Sequence, residues 1–232
     1  MDLDFHKIEK KLGLKFNNID LLKRALTHRS FLNENKEWFK IGQNERLEFL
    51  GDAVFGLIAA EYLFRKYPKL KEGELTSLRA ALINSNSLLE VADKLEIKKY
   101  LLVSKGEKKE LKKAHPYFLA NAVESIVGAI YLDQGLEETS KFIEKHILVK
   151  ADQILKTGSH RDSKSVFQEK SQELLGITPI YKFLESWGPD HSRQFKTGVY
   201  LKEKLIAEGE GFSKHEAETK AAEKALLKKG WK

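Results

Sequence analysis

The sequence predicts an all-α domain over residues 1–150 and an α+β module of order α-β-β-β-α over residues 162–232, joined by a linker at 151–161. Three observations predict this. Apolar residues recur at helical spacing through almost all of the first part. Residues 157–163, Thr-Gly-Ser-His-Arg-Asp-Ser, are polar and nearly devoid of apolar side chains, as a linker is. Beyond them the period shifts from helical to alternating and back to helical.

Leu3, Phe5, Ile8 and Leu12 start a pattern near 3.6 residues, and Ile19, Leu21, Leu22 and Ala25 continue it after the Asn17-Asn18 turn. Arg46 to about Phe64 is apolar enough to be a central buried helix, broken by Tyr67-Pro68 and the stretch from Lys69 to Gly73. A further helix is expected from about Thr76 to Leu95, with Leu78, Ala81, Leu82, Leu88, Leu89 and Val91 inward. Pro116 interrupts the chain before a strongly apolar helix from about Phe118 to Leu132. In the second part, a helix from about Lys164 to Leu175 precedes three strand-like runs. In the clearest of these, Phe195, Thr197, Val199 and Leu201 alternate with Lys196, Gly198, Tyr200 and Lys202. From Ser213 to about Lys228, Ala217, Ala221, Ala222, Ala225 and Leu226 stack at helical spacing. Helices on one face of an antiparallel sheet are the expected packing.

The formal charge of the 232 residues is +7, which suggests a polyanionic partner. Residues 1–158 carry 27 basic and 23 acidic side chains (+4) and residues 159–232 carry 14 and 11 (+3), so net charge does not say which part binds it. With no cysteine, a disulfide framework and a thiolate metal site are both excluded. The N-terminus lacks the apolar core of a signal peptide, and no run approaches the ~18 apolar residues of a membrane span. The expected setting is therefore the cytoplasm, with no membrane partner.

Glu45, Glu48 and Asp52 lie in the run Asn44-Glu45-Arg46-Leu47-Glu48-Phe49-Leu50-Gly51-Asp52-Ala53-Val54. Their offsets place all three carboxylates within about 60° of one helix face. Like charges so placed weaken a helix, whereas a hard cation such as Mg²⁺ takes oxygen ligands. A solvated acidic face is the alternative. Asn121 and Glu124 form a second oxygen-bearing i, i+3 pair on an otherwise apolar stretch, and two such faces converging would make a metal site. Gly51 is unusual inside a helix and points to close packing. None of the seven histidines has metal-ligand spacing with another, and no nucleophile elbow is present.

The run from Asn44 to Val54 resembles the signature segment of the ribonuclease III family. Three shorter stretches fall in the same order: Leu26-Thr27-His28-Arg29-Ser30, Glu72-Gly73-Glu74-Leu75, and the ten residues from Glu124 to Asp133. The stretch from about 162 to 230 resembles a double-stranded-RNA-binding domain. The resemblance implies a helical endonuclease domain that hydrolyses duplex RNA with Mg²⁺, or Mn²⁺ in its place, and without an organic cofactor. Products would carry 5′-phosphates and short 3′ overhangs, from ribosomal, messenger and transfer RNA precursors. It also implies metal ligands at Glu48, Asp52, Asn121 and Glu124, with Asp52 and Glu124 catalytic and Glu124 most closely tied to cleavage. Auxiliary acids fall at Glu45 and Glu72, and Phe49 would enter a socket on the partner subunit of a homodimer. His28 is expected to serve structural hydrogen bonding.

Many family members carry Asp where this chain has Asn121. The amide carbonyl remains a neutral oxygen ligand. A protein that binds duplex RNA without cutting it, its metal site weakened at Asn121, is the second reading, and a DNA nuclease is a third. For RNA, the resemblance points to three regions: Ser165, Gln168, Glu169 and Gln172 on one helix face, His191 in the turn at 188–192, and Ser213, Lys214, His215 and Lys220 at the last helix. Lys105, Lys108, Lys109, Lys112, Lys113 and His115 form a basic loop ahead of Asn121, either solvated or in contact with phosphate.

Overall fold

The computed structural model describes residues 4–110, 117–158, 162–189 and 192–231. The chain divides into two compact units, residues 1–158 and 159–232.

The first unit is helical: α1 (Phe5–Leu12), α2 (Ile19–Ala25), α3 (Arg29–Glu34), α4 (Glu45–Lys66), α5 (Glu72–Ile83), α6 (Ser85–Lys94), α7 (Glu107–Glu110), α8 (Tyr117–His146) and α9 (Ala151–Thr157). On α4 the core side is Leu47, Val54, Phe55, Ile58, Ala59 and Leu63, all buried. Each large side chain so buried contributes about 1.5–3 kcal/mol. α8 lies against α4 and buries Phe118, Val123, Ile126, Val127 and Ile130 in the same core. Gly135, at φ 80°, interrupts α8, so its last part leaves at a new angle.

Three expectations are corrected. The helix expected over 76–95 is two helices, because Asn84 is extended (ψ 161°) and its side chain accepts from Ser87 N–H, capping α6. The apolar helix expected to end near Leu132 continues, beyond the break at Gly135, to His146. The expected linker over 151–161 begins with α9, which buries Ala151 and is tied back to α4 through Asp152, bonded by Lys66 and Tyr67 (both 2.7 Å).

The second unit runs α10 (Ser163–Leu175), β1 (Ile180–Trp187), β2 (Gln194–Leu201), β3 (Lys204–Gly211) and α11 (Lys214–Lys229). The strands form one antiparallel sheet in the order β1-β2-β3, with Tyr181 opposite Val199 and Val199 opposite Ala207. Lys202, read as strand, sits in the β2–β3 turn at φ 53°. The core joins Phe167 of α10, Val199 and Leu201 of β2, Ile206 of β3, and Ala221, Ala222 and Ala225 of α11. Alanine on α11 lets the helix close on β3, and Gly209 completes the approach: a Cβ there would lie 2.2 Å from the Ala217 carbonyl oxygen.

Candidate functional site

Two glycines fix how α4 crosses α8. A Cβ on Gly51 would fall 1.8 Å from the carbonyl oxygen of Glu124, and one on Gly128 would fall 2.3 Å from that of Leu47. Real atoms never come so close, so only glycine lets the two backbones touch. Gly51 neighbours Asp52 and Gly128 lies one turn beyond Glu124, so the contact that packs the helices also brings the two oxygen-bearing faces together.

At that crossing Asn121 Nδ2 donates to Glu48 Oε1 at 3.0 Å. Since Glu48 can only accept when ionised, this bond assigns which end of the amide is nitrogen. The buried Ser125 hydroxyl donates to the carbonyl of Asn121 (2.8 Å) and lies 3.3 Å from that of Asn44, linking α8 to the start of α4. Burial, then the nearby Asp52 and then Glu48, push the Glu124 carboxyl up to about 7. Glu48 is also raised, chiefly by burial; the bond from Asn121 opposes this, and the charges of Glu45 and Asp52 add to it.

Both shifts come chiefly from burial, with the neighbouring carboxylate charges adding to it. The donor set is all oxygen, three carboxylates and one amide, which suits Mg²⁺ or Mn²⁺. Among the described residues no three His, Cys, Asp or Glu side chains are gathered closely enough to hold a metal ion by themselves. The fit therefore rests on donor chemistry and the crowding of Glu124 by Asp52 and Glu48.

The auxiliary acids are placed differently. Glu45 is exposed at the start of α4, 3.6 Å from Arg29 and bonded by Gln43 (2.9 Å). Glu72 is exposed in the first turn of α5 and accepts from the Thr76 hydroxyl (2.9 Å), with no side-chain bond to Glu48, Asp52, Asn121 or Glu124. Phe49 points outward, 81% exposed, so it is not part of the core of its own chain. With Leu57 and Phe64, also exposed, it forms an apolar stripe along α4.

In the second unit Ser165, Gln168, Glu169 and Gln172 lie exposed on α10, as expected. Ser165 donates to Asp162 (2.9 Å), and Gln172 lies 3.3 Å from the Thr178 hydroxyl. Ser213 caps α11, its hydroxyl accepting from Glu216 N–H (3.1 Å). The Lys214 ammonium stands over the Phe183 ring at 5.4 Å, and His215 is exposed beside it. Lys220 is held by Glu216 at 2.7 Å, a pair that an incoming phosphate must compete with. His191 lies outside the described residues, as do Lys112, Lys113 and His115. Lys105, Lys108 and Lys109 are exposed.

Sequence reasoning missed Gly128, Asn44 and Ser125. Gly128 carried a signal, a second glycine in an apolar helical run, that becomes readable only when paired with Gly51.

Comparison with known proteins decides the family. Residues 18–151 match the family model described as Ribonuclease-III-like, and residues 163–229 match the double-stranded RNA binding motif. The chain belongs to the ribonuclease III family. Ribonuclease 3 of Leptospira interrogans is 45% identical over 93% of this chain and 87% of its own length. That of Dehalococcoides mccartyi (strain ATCC BAA-2266 / KCTC 15142 / 195) is 42% identical over 97% and 94%. A crystal structure of the ribonuclease III nuclease domain of Campylobacter jejuni is 38% identical, with TM-score 0.57, covering 65% of this chain and 97% of that domain. A second structure of that domain, described as showing flexibility in the region involved in dimer formation, is 41% identical with TM-score 0.55 and covers 62% and 98%. The first unit is thus a ribonuclease III nuclease domain and the second a double-stranded-RNA-binding domain, together an endoribonuclease directed at duplex RNA. Among the described residues no helix is long and apolar enough to cross a membrane.

Proposed function

We infer that the chain hydrolyses duplex RNA at the α4–α8 crossing with Mg²⁺, or Mn²⁺ in its place, held by Glu48, Asp52, Asn121 and Glu124. The observation that carries this is the backbone contact of α4 with α8 at Gly51 and Gly128, which brings Asn121 within hydrogen-bond distance of Glu48 (3.0 Å) and buries Glu124 beside Asp52 and Glu48. A divalent cation bound there would supply an activated water and neutralise the crowded anionic phosphorus centre. Asp52 and Glu124 are the catalytic carboxylates, facing the scissile phosphate, and Asn121 steadies Glu48 through its amide N–H. Attack of water on phosphorus with departure of the 3′ oxygen leaves a 5′-phosphate and a 3′-hydroxyl. Two sites acting on opposite strands give short 3′ overhangs. Precursors of ribosomal, messenger and transfer RNA in the cytoplasm are the substrates we assign.

Exposed Ser165, Gln168, Glu169 and Gln172 meet the shallow minor groove, while Lys214, His215 and Lys220 meet phosphates. Lys105, Lys108 and Lys109 add phosphate contacts near the cleavage site. The exposed stripe of Phe49, Leu57 and Phe64 supports a homodimer in which each chain covers the other's α4. Phe49→Glu would place a charge on that stripe; sedimentation should then show monomer where the parent shows dimer, and an unchanged dimer would remove Phe49 from the interface.

Titrating Mg²⁺ against cleavage of a labelled duplex RNA tests the metal reading. Excess chelator should abolish cutting. An amide oxygen carries only partial charge, so Asn121→Asp should reach half-maximal rate at lower Mg²⁺ and Asn121→Leu at far higher Mg²⁺. Cleavage undiminished in chelator contradicts the metal mechanism, and an Asn121→Leu curve matching the parent removes Asn121 from the ligand set.

A further inference from the structure

The Leu-Thr-His-Arg-Ser box at 26–30 is a motif of this chain that the site does not absorb. Its backbone forms an isolated parallel bridge, Thr27 to Leu102, with the segment ahead of Lys105: Leu102 N–H donates to the Leu26 carbonyl (2.8 Å) and His28 N–H to that of Leu102 (2.9 Å). Side chains extend the connection. The Ser30 hydroxyl oxygen accepts from Ser104 N–H at 3.1 Å, and the Ser104 hydroxyl accepts from Glu107 N–H at 3.2 Å, which starts α7. Ser30 Oγ also lies 2.8 Å from His28 Nδ1. The Ser30 backbone N–H donates to the same Nδ1 (3.3 Å), which makes that nitrogen an acceptor, so the hydroxyl donates to the imidazole. That requires an unprotonated Nδ1, which burial of His28 favours by lowering its pKa. A second pin holds the loop, the Glu34 carboxylate accepting from Lys105 N–H (3.2 Å).

The same box touches both helices that carry the metal ligands. Asn44, the residue before α4, donates its N–H to the Thr27 carbonyl at 2.9 Å. The His28 ring packs on Phe118, 5.7 Å between centroids, in the first turn of α8 and three residues before Asn121.

We propose that Ser30 is a positioning residue: the relay His28–Ser30–Ser104 holds the segment bearing Lys105 and, in α7, Lys108 and Lys109 at a fixed place relative to the starts of α4 and α8, so that phosphate bound by these lysines sets where the duplex lies over the cleavage site. The proposal rests on reading those lysines as phosphate contacts. A serine that merely stabilised the fold would lower the melting temperature without changing how RNA binding depends on salt.

The test uses the full chain with Mg²⁺ and a labelled duplex RNA, measuring kcat, KM and the salt dependence of KM, with a thermal melt of each protein. Ser30→Ala should raise KM about threefold and flatten the log–log salt slope by about 1, the loss of one phosphate contact, while kcat stays within about twofold. Ser30→Thr, which keeps the hydroxyl, should restore both. If Ser30→Ala does not fold, Ser104→Ala, which removes only the bond to Glu107 N–H, should move KM and slope in the same direction by less. The charge control is the double variant Lys108→Ala/Lys109→Ala. If it flattens the slope and Ser30→Ala does not, the positioning role is overturned while the phosphate reading stands. If the double variant keeps parental KM and slope, the phosphate reading and the proposal fail together.

Discussion

In the nuclease domain α4 and α8 touch backbone to backbone at Gly51 and Gly128; in the RNA-binding domain β3 approaches α11 in the same way at Gly209 and Gly211. The two approaches serve opposite electrostatic ends. The first buries Glu124 beside Asp52 and Glu48, which together raise its carboxyl to about 7. The second seats the N-terminus of α11 against the sheet and leaves Lys214 and His215 exposed there, where the proposed function has them meet phosphate. The domains differ little in net charge, +4 against +3, so their division of labour comes from placement and not from total charge. One gathers carboxylates on two facing helices, and the other spreads cations and polar groups over exposed helix surfaces.

Disturbing the two glycine contacts should break the comparison most sharply. Gly51→Ala forces a methyl into the Glu124 carbonyl, which overpacking places at about 3 kcal/mol or more of destabilisation. It should also separate the carboxylates and abolish cleavage. Gly209→Ala makes the corresponding clash with Ala217 and should weaken duplex binding while leaving low-salt cleavage measurable. Melting curves read beside cleavage and binding assays check both. Gly51→Ala cutting at the parental rate would show that the helix contact does not set the site.

Truncation after Gly158 sharpens the comparison with a smaller effect. The apparent Kd for duplex RNA should rise about tenfold or more at physiological salt, and its salt dependence should flatten as phosphate contacts and their counterion release are lost. Residual cleavage at low salt should persist, since the carboxylates remain. Binding as tight as that of the full chain would assign RNA holding to the nuclease domain.

How much of this was legible in the sequence follows from what each feature depends on. Glu45, Glu48 and Asp52 share a helix face because of their spacing, so that half of the site could be read locally. Their convergence with Asn121 and Glu124 depends on a contact some seventy residues away in sequence and was accessible only through family resemblance, although Gly51 hinted at it. The alternation of Phe195, Thr197, Val199 and Leu201 announced β2 correctly because one face of that strand is buried. The break at Asn84 was hidden because apolar residues continue on both sides; the Asn-Ser-Asn-Ser run carried the capping signal, and the periodicity overrode it. The sequence of α9 looks like linker because the helix is short and followed by polar residues, and what fixes it is Asp152 held by Lys66 and Tyr67. The pairing of Lys220 with Glu216, and of the Asn121 amide with Glu48, are side-chain choices that spacing permits but does not select.

The central claim is that cutting resides in the α4–α8 carboxylates and holding in the RNA-binding domain. Glu124→Gln tests it most directly, because it keeps the shape of the side chain and removes its charge. Cleavage rate and Kd for one labelled duplex RNA should be measured on the same preparation with Mg²⁺ present. The account predicts loss of cleavage with Kd within about twofold of the parent, since the phosphate contacts that dominate affinity lie elsewhere. A Glu124→Gln protein that cuts at the parental rate, or that loses RNA binding along with cleavage while remaining folded, would contradict it.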